Sequence, residues 1–182
     1  MGSDTANTTN RVLDDQAIAE CVVHLAESIR EGVGEADLAL VGVYTRGVTL
    51  AGRLHAALEV AGKPSRVGKL DVSLYRDDFD QLDYVPRLMS TEIPFALEGY
   101  HVVIVDEVIF TGRTTRAAIS GLLDYGRPAK VELAVLIDRG HRELPIQPDY
   151  VGKVLEVPYC QYVRVLFSDD DNGEEGVFVT EK

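Results

Sequence analysis

A chain of 182 residues and 20.0 kDa is long enough for one domain with a substantial core, and 46% hydrophobic against 26% charged residues is the balance of a folded globular protein. The net charge of −12 and pI near 4.7 argue against indiscriminate nucleic-acid binding, which draws its strength from neutralising phosphates. No apolar run approaches the roughly 18 residues needed to span a bilayer, and the N-terminus lacks a basic stretch followed by an apolar one, so no membrane partner and a cytoplasmic location are expected.

Residues 1–10 read as a polar, disordered tail, and residues 11–182 as a single domain. Asp14 or Asp15 can cap a helix running to about Glu31, in which Ile18, Val22, Leu25 and Ile29 recur at helical spacing. An apolar strand follows over Leu38–Val43, then the turn Tyr44-Thr45-Arg46-Gly47. A second helix is marked by Leu50, Leu54, Ala57, Leu58 and Ala61 and stopped by Gly62 and Pro64. Residues 67–75 alternate in the manner of an exposed or edge strand, and residues 79–92, with few apolar positions in regular period, read as a flexible loop or a hairpin arm. Residues 102–105 are apolar without interruption, the pattern of a parallel strand buried on both faces. A helix from Arg113 to Tyr125 is ended by Gly126 and Pro128. A strand over residues 130–137, a loop with Pro145 and Pro148, and short strands at 162–167 and 177–180 complete the chain. The acidic run at 168–175 reads as a solvated turn, since its spacing is not that of a calcium loop. Cys21 and Cys160 have no metal-type spacing and read as reduced, structural thiols. Alternating strands and helices imply an α/β fold with a mainly parallel sheet flanked by helices, its ligands lying beyond the carboxyl ends of the strands.

The most informative run is Val105-Asp106-Glu107-Val108-Ile109-Phe110-Thr111-Gly112-Arg113-Thr114-Thr115. A loop that leaves a parallel strand and opens a helix offers free backbone N–H groups and the positive end of the helix dipole to an anion. Thr111, Thr114 and Thr115 add hydroxyl donors. The adjacent carboxylates would repel a bare phosphate, but Asp106 and Glu107 suit the 2′- and 3′-hydroxyls of a ribose, with a hard divalent cation nearby to reduce the clash. Neither a Gly-Lys-Ser/Thr ending nor a Gly-x-Gly-x-x-Gly turn is present, which sets aside nucleoside-triphosphate loops and dinucleotide folds.

These residues resemble the ribose-phosphate signature of type I phosphoribosyltransferases, which bind 5-phosphoribosyl-1-pyrophosphate (PRPP); Glu107 stands where that signature usually has Asp. With Leu74-Tyr75-Arg76-Asp77-Asp78, Asp124-Tyr125-Gly126-Arg127-Pro128 and Leu136-Ile137-Asp138-Arg139-Gly140-His141-Arg142-Glu143-Leu144-Pro145, the chain is similar to the PyrR family of pyrimidine-operon attenuators that are also uracil phosphoribosyltransferases. The likeness runs from about Leu13 to Lys153. It implies a type I phosphoribosyltransferase fold with a flexible flap at about 74–92 and a small hood at about 138–182 with N-terminal contributions. It assigns Thr45, Arg46 and Gly47 to the pyrophosphate, with Arg46, Asp106 and Glu107 central to catalysis. Phe110, Thr111, Gly112, Arg113, Thr114 and Thr115 go to the 5′-phosphate side, and Arg76 to the closing flap. Ile137, Asp138 and Arg139 border the base, and Glu107 and Asp138 help to hold Mg²⁺.

The implied reaction is uracil plus PRPP to UMP plus pyrophosphate. It needs no protein nucleophile, and His24, His55, His101 and His141 are not spaced as metal ligands; His101, at a strand start, reads as structural. The family's second activity is UMP-responsive binding of an mRNA stem-loop by a homodimer or homotetramer. His141, Arg142 and Lys153 are the retained candidates for RNA contact. Against that stand Val23, Glu27 and Gly32 in the first helix, and Gln147, where polar or basic residues would favour RNA. Two alternatives stay open: an RNA-binding regulator with little enzymatic activity, and a phosphoribosyltransferase for another base without RNA binding.

Overall fold

The computed structural model describes residues 9–75 and 89–181. A five-stranded sheet in the order β3-β2-β4-β5-β6 is built from β2 (Leu38–Val43), β3 (Ser65–Leu70), β4 (His101–Ile109), β5 (Lys130–Asp138) and β6 (Tyr150–Val154), all parallel. A separate antiparallel sheet joins β1 (Asn10–Leu13) to a C-terminal hairpin of β7 (Gln161–Leu166) and β8 (Gly176–Glu181), in the order β1-β8-β7. Asn10, read from sequence as the end of the polar tail, is therefore the first residue of a strand; residues 1–8 lie outside the described part.

Side chains alternate across the large sheet and sort into two cores. Leu40, Val103, Val105, Ala134 and Leu136 face α1 (Asp15–Val33) and α2 (Arg46–Val60), packing on Leu25, Ile29, Leu50 and Leu54. Ala39, Val41, Val102, Ile104, Leu133 and Val135 face the other way, toward α3 (Arg113–Leu123), and pack on Ala117, Ala118 and Leu122. Burial on both faces explains the unbroken apolar runs in β2 and β4. Asp14 caps α1, its Oδ1 accepting Ala17 N–H at 2.9 Å.

Two strands differ from the sequence expectation for local reasons. β4 continues past Val105 to Ile109, because β5 supplies backbone partners as far as the Ile109–Asp138 pair. Asp106 and Glu107 consequently sit within the strand. The alternating run that begins at Val67 stops being a strand after Leu70: Asp71 Oδ1 accepts the N–H and the hydroxyl of Ser73, at 2.8 and 2.6 Å, and turns the chain into a 3-10 helix at Ser73–Tyr75. β3 is nevertheless an edge strand, as its alternation implied.

The base of the sheet is closed by a buried polar cluster. His101, at the start of β4, is hydrogen-bonded through Nε2 to Glu132 Oε2 at 2.6 Å; Tyr150 donates its hydroxyl to the same oxygen at 2.6 Å, and Lys130 pairs with Glu132 Oε1. Burial raises the Tyr150 phenol above its usual range, and the bond to Glu132 raises it further. His101 thus belongs to the end of the sheet opposite the carboxyl-terminal loops.

Gly42 shows how tightly α2 is laid on the sheet: a Cβ there would lie 2.6 Å from the Gly47 carbonyl oxygen and 2.6 Å from Val48 Cα. Both are backbone atoms, so neither can rotate away. Gly42→Ala is expected to destabilise the protein by about 1–3 kcal/mol, the usual range for overpacking, read as a lower urea midpoint at unchanged slope.

Candidate active site

The carboxyl ends of β2, β4 and β5 bring the sequence motifs to one edge of the sheet. After β2, Tyr44 N–H donates to Leu70 O at 3.0 Å, the Tyr44–Thr45 peptide bond is cis, and α2 begins at Arg46. Thr45 is exposed and occupies the N-cap position without a side-chain capping bond. Gly47 touches the neighbouring strand directly: a Cβ on it would stand 2.5 Å from Val105 O and 3.2 Å from Asp106 Cα. The loop after β2 and the acids of β4 are thereby in backbone contact.

Asp106 is buried and Glu107 half-buried. Asp106 Oδ1 accepts the Glu107 N–H at 2.9 Å, yet burial first, and the neighbouring Glu107 charge second, hold the Asp106 carboxyl well above its usual range. Strand alternation puts Glu107 on the side of α2, where its charge acts on Arg46. A hard cation beside this pair would favour the ionised form of Asp106, and carboxylate oxygens are the donors such a cation takes.

The turn from β4 into α3 is shaped by Gly112, whose φ of 88° lies in the left-handed region, where a side chain is strained. Thr111 Oγ1 accepts Arg113 N–H at 3.4 Å, Thr115 is buried, and Thr114 is half-buried. The first turn of α3 has no side-chain cap. This turn is seated on the loop after β5: Thr111 O accepts the N–H groups of Glu143 and Leu144 at 3.0 and 3.1 Å, and Arg113 Nε donates to Glu143 Oε2 at 2.8 Å.

Beyond β5, the chain builds a cleft of about 560 Å³ lined in part by Asp138, Arg139, His141, Leu155 and Val157. Arg139 is only 4% exposed; it donates to the carbonyls of Gln161 and Pro158 at 2.8 and 3.1 Å, and its guanidinium lies 4.1 Å from the Phe110 ring centre. Tyr159 and His141 complete an aromatic group around Phe110. Phe110, grouped with the phosphate residues from sequence, thus packs on Arg139 and His141, which line the cleft. Asp138 is already engaged, Oδ2 accepting from Arg142 at 2.6 Å and Oδ1 from Gly140 N–H at 2.9 Å. Ile137 is wholly buried in the core on the α1 and α2 side, so its side chain lies away from this cleft.

The three residues singled out for RNA differ in availability. Arg142 is turned inward, holding Asp138 and the carbonyls of Phe110, Gly140 and Ile146. His141 is bonded to Val157 O through Nε2 at 2.8 Å, while Lys153 is exposed on β6. Arg76 and most of the expected flap lie outside the described residues. The sequence reading missed Tyr159, in a segment without periodic signal, and it missed Asp171, whose carboxylate grips Arg46. Among the described residues, no helix is long and apolar enough to cross a membrane.

Comparisons agree with this architecture. The family model for the phosphoribosyl transferase domain matches residues 8–175. A protein of Listeria welshimeri named bifunctional protein PyrR is 47% identical, over 92% of this chain and 94% of its own. One of the same name from Desulfosudis oleivorans is 48% identical over the same shares. Among solved structures, a hypoxanthine phosphoribosyltransferase from Trypanosoma cruzi superposes with a TM-score of 0.74 at 21% identity, covering 96% of each chain. A hypoxanthine-guanine phosphoribosyltransferase from Bacillus anthracis gives 0.71 at 15% identity, covering 93% of this chain and 96% of its own. At those identities the two structures speak for the fold alone.

The raised carboxyl of Asp106 has a thermodynamic signature. An acid whose folded pKa is raised costs stability above that value and costs nothing below the unfolded carboxylate range, where both states are protonated. Asp106→Asn is therefore expected to stabilise the ligand-free protein at about pH 8 and to lose that advantage as the pH falls to about 3, followed by urea denaturation across the range.

Proposed function

The chain belongs to the PyrR family of phosphoribosyltransferases, and from that membership we propose how its residues carry out the transfer of a phosphoribosyl group from PRPP to uracil. The observation that carries the reading is the contact of Gly47 with Val105 and Asp106, which sets a pyrophosphate loop against a ribose-binding acid pair. The 5′-phosphate is held at the start of α3 by backbone N–H groups and by Thr111, Thr114 and Thr115. Asp106 and Glu107 accept the ribose hydroxyls. Arg46 and the backbone at Thr45 and Gly47 take the pyrophosphate, for which a guanidinium offers paired donors.

The chemistry asks for positioning and charge. As the C1–oxygen bond to pyrophosphate breaks, positive charge develops on the ribose and negative charge on the leaving group, while N1 of uracil forms the new bond from the opposite face. Bound Mg²⁺ would supply further positive charge to the leaving pyrophosphate. Glu107 is the carboxylate that best suits it, because both Asp138 oxygens are occupied by Arg142 and Gly140. The base enters the cleft beside Arg139, whose guanidinium is backed by the Phe110 ring. A homodimer or homotetramer remains the expected assembly.

Regulation by binding an mRNA stem-loop in response to UMP is the second activity of this family. Lys153, exposed on β6, is the RNA candidate with the freest side chain; Arg142 serves the hood instead, through its bonds to Asp138 and three carbonyls. Binding carried by a few basic side chains should weaken steeply with salt and strengthen with UMP. A gel-shift series with a pyrimidine-leader stem-loop at increasing salt, with and without UMP, tests this; salt-insensitive or UMP-indifferent binding would count against it.

Incubation with Mg²⁺, PRPP and labelled uracil, with hypoxanthine and orotate in parallel, tests the transfer. UMP is the expected product, and Arg46→Ala should lower kcat/KM for PRPP by about 100-fold or more, the scale of losing a charge-stabilising group. His55→Ala and His101→Ala should cost far less once corrected for folded fraction. Product from hypoxanthine or orotate but not from uracil would overturn the base assignment.

A further inference from the structure

The acidic run at 168–175 is a largely exposed turn, as its composition implied, but it is also fastened along one face of α2. Arg46 Nε donates to Asp171 Oδ2 at 3.0 Å and Nη2 to Oδ1 at 2.5 Å, so one edge of the guanidinium is matched to both carboxylate oxygens. One turn further along the helix, Thr49 donates its hydroxyl to Asp170 at 2.5 Å. Arg53, another turn on, donates to Glu175 at 2.5 and 3.0 Å and to Asp169 at 2.8 Å. The acidic turn is also braced from within. Phe167 N–H donates to Asp171 Oδ2 at 3.0 Å, Phe167 O accepts the N–H groups of Asp170 and Asp171, and Glu175 accepts from Ser168. The bond from Arg46 holds the Asp171 carboxyl below its usual range, and Arg53 holds Glu175 down to about 2, so both stay charged at neutral pH.

A carboxylate on a phosphate-binding arginine has two opposite meanings. It can occupy the place of the phosphate and have to be evicted, or it can hold the arginine in the orientation that the phosphate needs. Eviction requires a carboxylate free to swing out. Asp171 is 13% exposed, is bonded to its own turn, and sits in a segment tied to α2 at three successive positions. Its grip uses the Nε and Nη2 edge of Arg46 and leaves Nη1 uncommitted among the described residues. Fixing an arginine side chain costs rotamer entropy, and fixing it before substrate arrives removes that cost from binding.

We propose that Asp171 is a positioning residue of the transfer reaction, holding Arg46 so that the free edge of its guanidinium meets the pyrophosphate. The inference rests on the reading of Arg46 as a pyrophosphate ligand. Through Asp171, the C-terminal hairpin becomes part of the PRPP site although it touches no substrate.

The test is steady-state kinetics in both directions for wild type, Asp171→Asn, Arg46→Ala and the double variant, with folded fraction checked by thermal denaturation. Glu174→Gln serves as a control that removes the same charge from an exposed position of the same turn. Asp171→Asn should raise the KM for PRPP and for pyrophosphate by about tenfold, the equivalent of about 1.4 kcal/mol, leave the KM for uracil unchanged, and add nothing in the Arg46→Ala background. Glu174→Gln should resemble wild type. A lower KM for PRPP in Asp171→Asn would show that the carboxylate competes with substrate and would overturn the proposal, as would an equal effect of Asp171→Asn with and without Arg46. If Arg46→Ala itself leaves PRPP and pyrophosphate kinetics unchanged, the reading of Arg46 fails, and the role of Asp171 fails with it.

Discussion

The site depends on one close approach. Gly47, in the first turn of α2, lies against the Val105 carbonyl and Asp106 of β4 with no room for a side chain. Gly42 makes the matching concession on β2, where the backbone of Gly47 and Val48 fills the place of a Cβ. Two glycines, one in β2 and one in the first turn of the helix that follows it, thus bring the start of α2 onto the sheet. Everything chemical follows from that contact. In the proposed reading, the loop that receives a leaving pyrophosphate and the acids that receive a ribose must lie close together, and side chains at either glycine would separate them.

The electrostatics reconcile a chain of net charge −12 with a polyanionic substrate. Much of its acidity near the site is spent on holding cations in place. Arg46 is gripped by Asp171, Arg53 by Glu175 and Asp169, Arg142 by Asp138, and Arg113 by Glu143. Arg46 and Arg53 with their acids span from α2 to the acidic turn, Arg113 and Glu143 tie the start of α3 to the loop after β5, and Arg142 braces that loop against the end of β5. These pairs fix long side chains in chosen directions. Asp106 is the exception: among the described residues it is buried without a cationic partner, and burial and the Glu107 charge raise its carboxyl, a cost that the proposed ribose contact would explain.

Much of the fold was legible because burial writes itself into the sequence. The unbroken apolar run of β2 was placed at Leu38–Val43, and the periodic helices followed from Ile18 to Ile29 and from Leu50 to Leu58. The phosphate turn was legible because Gly112 and the threonines around it have a local purpose. Features set by distant partners were harder to see. β4 runs through its acids only because β5 pairs with it as far as Asp138, and β1 is a strand only because β8 lies beside it. Asp171 was hidden for the same reason: a run of acids has the same composition whether it faces water or three side chains of a helix far away in sequence. The contacts of Phe110 with Arg139 and Tyr159 were hidden likewise, since both partners come from segments distant in sequence.

The central claim is that a single ligand spans the loops after β2 and β4, with its 5′-phosphate at the start of α3 and its pyrophosphate at the start of α2. The most direct measurement is an amide NMR titration of the ¹⁵N-labelled protein, first with UMP and then with pyrophosphate and Mg²⁺. The account predicts that UMP shifts the amides of Thr111 to Thr115 and leaves those of Thr45 to Gly47 nearly unmoved, and that pyrophosphate then shifts Thr45, Arg46 and Gly47. Shifts from UMP centred on Thr45 to Gly47, or pyrophosphate responses confined to the α3 turn, would contradict it.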